Sequence, residues 1–368
     1  MTLSTMDQYW VWLSSVEGIG PKRFYQLISF YEDARTVWDC IGKDDTNMKK
    51  LVGSAVLKKL KEARSEHYFY TLFARMEKLG MQAITRLSDA YPSRLNDIYD
   101  PPATLYVLGD CDLDAEKSFA IVGSRRCTRD GQRAAREFAE TLARQDVTIV
   151  SGMAHGIDTA AHEGTLIGMG KTIAVLGCGA DVIYPPENEE LYHRIIDNGG
   201  AVVSEFCPGM QPLPGHFPMR NRIISGLSDG VLLVEGAEKS GAMITVNLAT
   251  DQNRDIFAVP GSIYSSLSQA PNRLIVEGAI PAVTGWDILE HYRWAQRPDA
   301  SVSKPNTRIQ LDPEDDQIVQ PLLEQELSFD ELANLVDFPV SKLNSHLTML
   351  ELRGIIVKVP GGLYRAYL

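Results

Sequence analysis

The sequence predicts an α/β protein built on a doubly wound parallel sheet, with a helical region before it and a winged helix after it. Three observations carry that prediction. Between residues 118 and 285, short apolar runs alternate with longer helical patterns, as expected of strands covered by helices on both faces. Small-residue turns follow those runs at the ends where α/β sheets gather ligands. The flanks read differently: helices around Gly18-Ile19-Gly20 at the start, and helices with a Gly361-Gly362 hairpin at the end.

The first element is an apolar helical stretch from about Tyr9. The turn Val16-Glu17-Gly18-Ile19-Gly20-Pro21 follows, then a second helix opening at Lys22-Arg23. This matches a helix-hairpin-helix (SAM-like) pattern, in which Gly-x-Gly lets amides approach a DNA phosphate; a plain helical hairpin closed by the same glycines fits equally. Leu51-Val52-Gly53-Ser54 resembles a weaker second copy, and its Lys58, Lys59 and Lys61 read as a solvated helix face. A helix over 63–79 is expected next. Asp100-Pro101-Pro102 then blocks helix and hands the chain to a short entry strand over 105–108. The expected divisions are a helical domain over 1–80, the sheet domain over 81–296, a linker over 297–312 and a winged helix over 313–368.

The sheet domain is organised around Ser118 to Gly131. Phe119 to Val122 reads as a buried strand, Gly123-Ser124-Arg125 as a turn, and 133–144 as a helix. That succession puts free amides and the positive end of a helix dipole at one spot, beside Arg125 and Arg126, which suits a phosphate. It is neither GxGxxG nor GxxxxGK[ST], so a dinucleotide site and an ATPase loop are not indicated. Further strands are expected over 147–150, 172–176, 201–204, 230–234 and 255–259. Their helices fall over 157–167, 188–197, 221–227, 242–249 and 272–277. The turns Ser151-Gly152, Gly177-Cys178-Gly179, Gly236-Ala237 with Ser240-Gly241, and Pro260-Gly261-Ser262 open on the same edge. Together they describe a long anion-tolerant crevice.

Beside it lies His216-Phe217-Pro218-Met219-Arg220-Asn221-Arg222, with Pro218 suited to start a helix. Two residues apart on a helix, Arg220 and Arg222 point to different faces, one to the crevice and one to a structural carboxylate. Glu205, at a strand end, is placed where a carboxylate can orient an arginine. Phe217 is able to stack a base, although the plainer reading is a hydrophobic staple.

The linker is polar with two prolines, hence flexible or extended. Helices over 315–323, 329–336 and 341–353, with a hairpin of 355–359 and 363–367, make the winged helix. Its third helix offers Lys342, Asn344, Ser345, His346 and Thr348 in an acidic surround, poor equipment for a phosphate backbone; protein contact is expected.

The formal net charge of −12 means that any nucleic-acid site is a local cluster. Residues 1–100 carry 14 basic and 13 acidic side chains; residues 301–368 carry 6 and 10. Five scattered cysteines without a CxxC pair argue against disulfides and zinc. No apolar run reaches membrane-spanning length and the start is not basic, so a cytoplasmic protein is expected. His155, Asp158 and His162 share a helical spacing that suits a metal pair, but His155 precedes Gly156, outside the helix, and the structural reading is preferred. Ser124, Ser151 and Ser240 have no matching His and carboxylate. No catalytic residue, metal or cofactor is expected.

Several motifs, taken together, resemble the DNA-processing protein A (DprA/Smf) family: Ile121-Val122-Gly123-Ser124-Arg125, Ser151-Gly152-Met153-Ala154-His155-Gly156-Ile157-Asp158, Tyr184-Pro185-Pro186-Glu187-Asn188, Phe217-Pro218-Met219-Arg220-Asn221-Arg222 and Lys239-Ser240-Gly241. The resemblance runs in order through residues 91–281. It implies a bacterial protein with an extended Rossmann-like core that binds single-stranded DNA without sequence preference and forms a homodimer through that core. Such a protein protects incoming DNA and loads a RecA-type recombinase during natural transformation. It would line the DNA site with Gly123, Ser124, Arg125, Arg126, Ser151, Gly152, Arg220, Asn221, Arg222, Lys239, Ser240 and Gly241. Where the family has a glycine turn before Asn-x-Leu-Ile, this chain has Gln269-Ala270-Pro271, which stiffens one rim loop. The acidity leads us to expect modest, salt-sensitive affinity per protomer, raised by dimerisation.

An alternative is an enzyme, because the fold also resembles nucleoside-monophosphate phosphoribohydrolases of the lysine-decarboxylase-like group. Those carry PGGxGTxxE with a catalytic glutamate at a helix start. The corresponding stretch, Glu235-Gly236-Ala237-Glu238-Lys239-Ser240-Gly241-Ala242-Met243-Ile244-Thr245, has no such glutamate after its glycine, so a binding protein rather than an enzyme is expected.

Overall fold

The computed structural model describes residues 3–297, 311–336, 338–359 and 362–366, in two compact units divided after Arg297. Most of the expected linker, Gly361 of the hairpin turn and Tyr367 lie outside the described residues.

The first unit begins with six helices: α1 (Thr5–Ser15), α2 (Pro21–Tyr31), α3 (Ala34–Cys40), α4 (Asp45–Val52), α5 (Ser54–Ala63) and α6 (Glu66–Lys78). Side-chain caps set the starts of α1 and α6, where the Ser4 and Ser65 hydroxyls accept from the Asp7 and Tyr68 amides. The second cap explains why the single helix expected over 63–79 is instead a break at Arg64-Ser65 followed by α6. Trp12, Leu13, Phe24, Leu27 and Leu60 are fully buried in this layer, and the Trp12 indole donates to the Ala63 carbonyl at 2.9 Å. Lys59 and Lys61 pair with Glu17 and Asp45, in keeping with a solvated helix face.

Nine strands follow: β1 (Gln82–Thr85), β2 (Thr104–Gly109), β3 (Ser118–Val122), β4 (Thr148–Ser151), β5 (Thr172–Val175), β6 (Ala201–Ser204), β7 (Gly230–Leu233), β8 (Asp255–Ala258) and β9 (Ile280–Pro281). They form one sheet in the order β1-β2-β6-β5-β4-β3-β7-β8-β9. From β6 to β9 the pairs are parallel. The entry strand β2 runs antiparallel to β6, and the unforeseen β1 runs antiparallel to β2.

The helices between strands are α7 (Ser93–Asn96), α8 (Arg129–Ala143), α9 (Ile157–Ile167), α10 (Glu189–Asp197), α11 (His216–Gly226), α12 (Gly241–Asp251) and α13 (Gln269–Val276), and α14 (Gly285–His291) follows the last strand. α11 and α12 bury Ile223, Ile224, Val246 and Ala249 against one face of the sheet. α8, α9 and α14 bury Phe138, Leu142, Ile157, Ala161 and Ile288 against the other. The chain winds outward from central β3 through β4, β5 and β6, and α11 then returns it to β7 on the opposite side of β3. That reversal is the switch point at which such sheets leave a crevice.

The second unit contains α15 (Pro313–Glu324), β10 (Leu327–Ser328), α16 (Phe329–Leu335), α17 (Val340–Leu352), β11 (Ile356–Val359) and β12 (Leu363–Ala366), with strand order β10-β12-β11. Ile318, Leu332, Leu343, Leu347 and Ile356 form its core, as a winged helix requires. Side chains of α17 meet acids at the start of α15: Lys342 lies 2.5 Å from Glu314 and His346 2.7 Å from Asp315.

Candidate functional site

At the carboxyl ends of β3, β4 and β7 the sheet opens into a cavity of about 740 Å³, lined by residues of the β3–α8 turn, α11 and the start of α12. The turn after β3 is fixed by its backbone. Ser124 N donates to the Glu235 carbonyl at 2.8 Å, Ile157 N donates to the Ser124 carbonyl at 3.3 Å, and the Ser124 hydroxyl accepts from Arg126 N at 3.1 Å. Gly123, Ser124, Arg125 and Arg126 all line the cavity, and both arginines are exposed.

α11 supplies the inner wall. It starts at His216 rather than at Pro218, so Phe217 lies inside the first turn instead of ahead of it as a staple would. Arg220 is 4% exposed; its Nη1 donates to the Gly152 carbonyl at 2.7 Å and to the Val175 carbonyl, and its Nε to Asn221 Oδ1 at 3.2 Å. Burial lowers the Arg220 pKa to about 10, with Asp158 opposing the shift and Arg125 adding to it, so the guanidinium is still a cation at neutral pH. Burial raises the Asp158 carboxyl to about 6 despite Arg220 and a 3.3 Å hydrogen bond from Ala154 N. Gly152 makes this arrangement possible, since a Cβ there would stand 2.8 Å from the Arg220 guanidinium carbon.

The mouth is aromatic and cationic. The Arg125 guanidinium lies 5.4 Å from the Phe217 ring centre, and Phe217 lies 5.5 Å from Tyr184 at a tilt of 38°. Such a row offers π-faces beside positive charge, which is what unpaired bases on a phosphodiester backbone stack against. The Tyr184-Pro185-Pro186 motif was the available sequence signal for Tyr184, but nothing local connected it to Phe217.

The α8 amino terminus is not the anion site that the strand–turn–helix pattern suggested. α8 begins at Arg129, capped by Thr128, and the Glu235 carboxylate accepts from Thr128 N at 2.8 Å and from the Thr128 hydroxyl at 2.7 Å. A carboxylate therefore already occupies that dipole end. The open one is α12. Its N-cap Ser240 makes no side-chain capping bond, its first turn has no acidic residue, and among the described residues the buried Ser240 hydroxyl has no partner. Ser240, Gly241, Ala242 and Thr245 line the cavity, and Asn221 Nδ2 reaches the Gly241 carbonyl at 3.4 Å.

Three residues expected at the site are elsewhere. Arg222 points away from the cavity, as the i, i+2 spacing requires of one of the pair: its Nε lies 3.0 Å from Asp100 and its Nη2 2.5 Å from Glu205. Burial pushes the Glu205 carboxyl upward and Arg222 opposes that shift. Ser151 is fully buried and its hydroxyl donates to the Ile121 carbonyl at 2.7 Å. Lys239 is exposed on the turn before α12, outside the cavity lining. Gly152 lines a smaller recess shared with Arg125, Phe217 and Arg220.

The remaining candidates are structural. Buried His162 bonds the Thr172 hydroxyl at 2.7 Å through Nδ1, and burial lowers its pKa to about 3, so the ring is neutral. His155 faces Glu187 at 3.5 Å instead of His162. Among the described residues no group of three His, Cys, Asp or Glu side chains is placed to hold a metal. At the helical hairpin, Arg23 Nη1 donates to the Gly18 carbonyl at 2.9 Å and closes the turn. Among the described residues no helix is long and apolar enough to cross a membrane.

Residues 82–293 match the family model of DNA recombination-mediator protein A, and residues 302–362 match that of the DprA winged helix domain. DNA processing protein DprA of Streptococcus pneumoniae is 43% identical over 231 residues, 62% of this chain and 81% of the relative. The X-ray structure of DNA processing protein A from the same species aligns with a TM-score of 0.63 at 35% identity, covering 79% of this chain and 98% of that one. A Helicobacter pylori DNA processing protein A, whose structure is described as giving insights into a unique single-stranded DNA binding mode, aligns with a TM-score of 0.53 at 30% identity over 58% of this chain and 95% of its own.

Proposed function

Because the chain belongs to the DNA recombination-mediator protein A family, we propose that it binds single-stranded DNA without sequence preference, in the crevice at the carboxyl edge of its sheet. The observation that carries this reading is the convergence of buried Arg220, exposed Arg125 and the uncapped α12 amino terminus on one cavity whose mouth is Phe217 and Tyr184. Arg125 and Arg126 neutralise phosphates at the mouth, Arg220 and the α12 amides draw one inward, and the two rings hold bases. Stacking of this kind contributes roughly 1–3 kcal/mol per base and does not discriminate among bases, which accounts for binding without sequence preference.

The finer part of the reading rests on family membership. The protein forms a homodimer through its sheet-bearing unit, protects incoming DNA and hands it to a RecA-type recombinase during natural transformation, in the cytoplasm. The winged helix, whose Lys342 is already met by Glu314, serves protein contact. No chemistry is assigned to the crevice. The first turn of α12, where a phosphoribohydrolase would carry its glutamate, holds no acid, and Glu235 is engaged at the α8 cap.

Filter binding of oligothymidine across a salt series tests the proposal. We expect log K to fall linearly with log salt, at roughly 0.7 per phosphate neutralised, and Arg125→Ala to weaken binding. Salt-independent binding, or an unaffected variant, would overturn it, as would release of adenine on incubation with AMP.

A further inference from the structure

A second cavity, about 1160 Å³, lies on the same unit where α1, α6 and β1 meet. Its walls include the apolar or aromatic side chains of Tyr9, Phe69, Phe73 and Met76, and Tyr70 and Leu87 at its edge are 75% and 50% exposed. Asp7, Glu66, Glu77 and Asp89 also line it, and among the described lining residues there is no lysine, arginine or histidine. Asp7 is engaged in holding α1 to β1, its carboxylate accepting from the Ser4 and Thr85 hydroxyls. Glu66, Glu77 and Asp89 are exposed.

One boundary of the cavity is a sheet edge. Among the described residues β1 is the outermost strand and pairs with β2 alone, and Gln82, Ala83 and Ile84 line the groove. Exposed edges are ordinarily protected by lysine, proline or a bulge. Gln82-Ala83-Ile84-Thr85 has neither lysine nor proline, and its four residues pair with β2 in unbroken register. An apolar floor, an open strand edge and carboxylates without a lining cation select the occupant by chemistry. DNA is repelled, and a second copy of this chain brings a net charge of −12.

We propose that this groove docks a basic, extended segment of a partner protein, added as a further strand along β1. Alternate side chains of such a strand point to one face. Those on the α1 and α6 side are apolar and cover Tyr9, Phe69 and Phe73, while its lysines or arginines meet Glu77 and Asp89. The site is separate from the DNA crevice: the two cavities have no lining residue in common.

The test uses the full chain and two fluorescein-labelled peptides, one alternating lysine with valine and one alternating glutamate with valine, in fluorescence anisotropy at low salt. The lysine peptide is expected to bind and the glutamate peptide not. The double variant Glu77→Gln/Asp89→Asn is expected to lose at least fivefold in peptide affinity while keeping oligothymidine binding within twofold, which also verifies its fold. Amide exchange over residues 82–85 is expected to slow when the lysine peptide is bound. Equal binding of both peptides, an unaffected double variant, or unchanged exchange in β1 overturns the proposal. So does sedimentation showing that the double variant alters self-association, which would assign the groove to a second copy.

Discussion

Arg220 and Gly152 are matched across the sheet edge: the guanidinium donates to the glycine carbonyl at 2.7 Å and lies where a side chain at 152 would have to go. The crevice therefore keeps its inner cation through a residue that makes no polar side-chain contact at all. Gly152→Ala is expected to displace Arg220 and weaken oligothymidine binding on the order of tenfold, about 1.4 kcal/mol, as much as Arg220→Met does. Filter binding of both variants checks this, with the thermal transition confirming that each is folded.

Arg125 and Arg222 should separate binding from stability. Arg125→Ala removes an exposed cation and is expected to lower the salt slope by roughly 0.7 without moving the thermal midpoint. Arg222→Ala leaves the Glu205 carboxylate buried without its partner and is expected to cost about 3–5 kcal/mol of stability, measured by urea unfolding. Adding Glu205→Gln should recover part of that loss.

Binding should respond to pH through Asp158. At neutral pH this carboxylate is ionised beside Arg220 and offsets its charge; below about 6 it takes up a proton. Oligothymidine affinity is expected to rise severalfold between pH 7.5 and 5.5, and Asp158→Asn should show the higher affinity at both. The check is anisotropy at fixed ionic strength.

Much of this arrangement is legible in the chain alone, for identifiable reasons. Apolar strands such as Phe119 to Val122 are buried on both faces and show as unbroken runs. The split between Arg220 and Arg222 follows from helical geometry. What escapes the sequence is set by distant partners. Glu235 reaches the α8 cap from 107 residues away, so the apparent anion site at that helix was already filled by a side chain that no local pattern connects to it. β1 is four residues with only two apolar side chains, too short to announce itself, and the antiparallel direction of β2 depends on its pairing with β6.

His162 predicts the acid limit of the fold. The folded state holds its ring neutral down to about 3, while the unfolded chain takes up a proton below about 6.5. Its contribution is therefore full above that range and falls as pH drops, by up to about 1.4 kcal/mol per unit. Asp158 acts in the opposite sense between its ordinary 3.8 and about 6, where the folded state binds the extra proton. Relative to the parent, His162→Asn should thus lose less stability, or gain some, between pH 6.5 and 4. Urea unfolding at several pH values measures the difference.

The placement of DNA across Phe217 and Tyr184 is tested most directly by photocrosslinking an iododeoxyuridine-substituted oligothymidine to the full chain and mapping the adducts by mass spectrometry. Adducts on Phe217 or Tyr184, lost on Phe217→Leu/Tyr184→Leu and displaced by unlabelled oligothymidine, are the predicted result. Adducts confined to α17 or to the α1–α6 groove would contradict it.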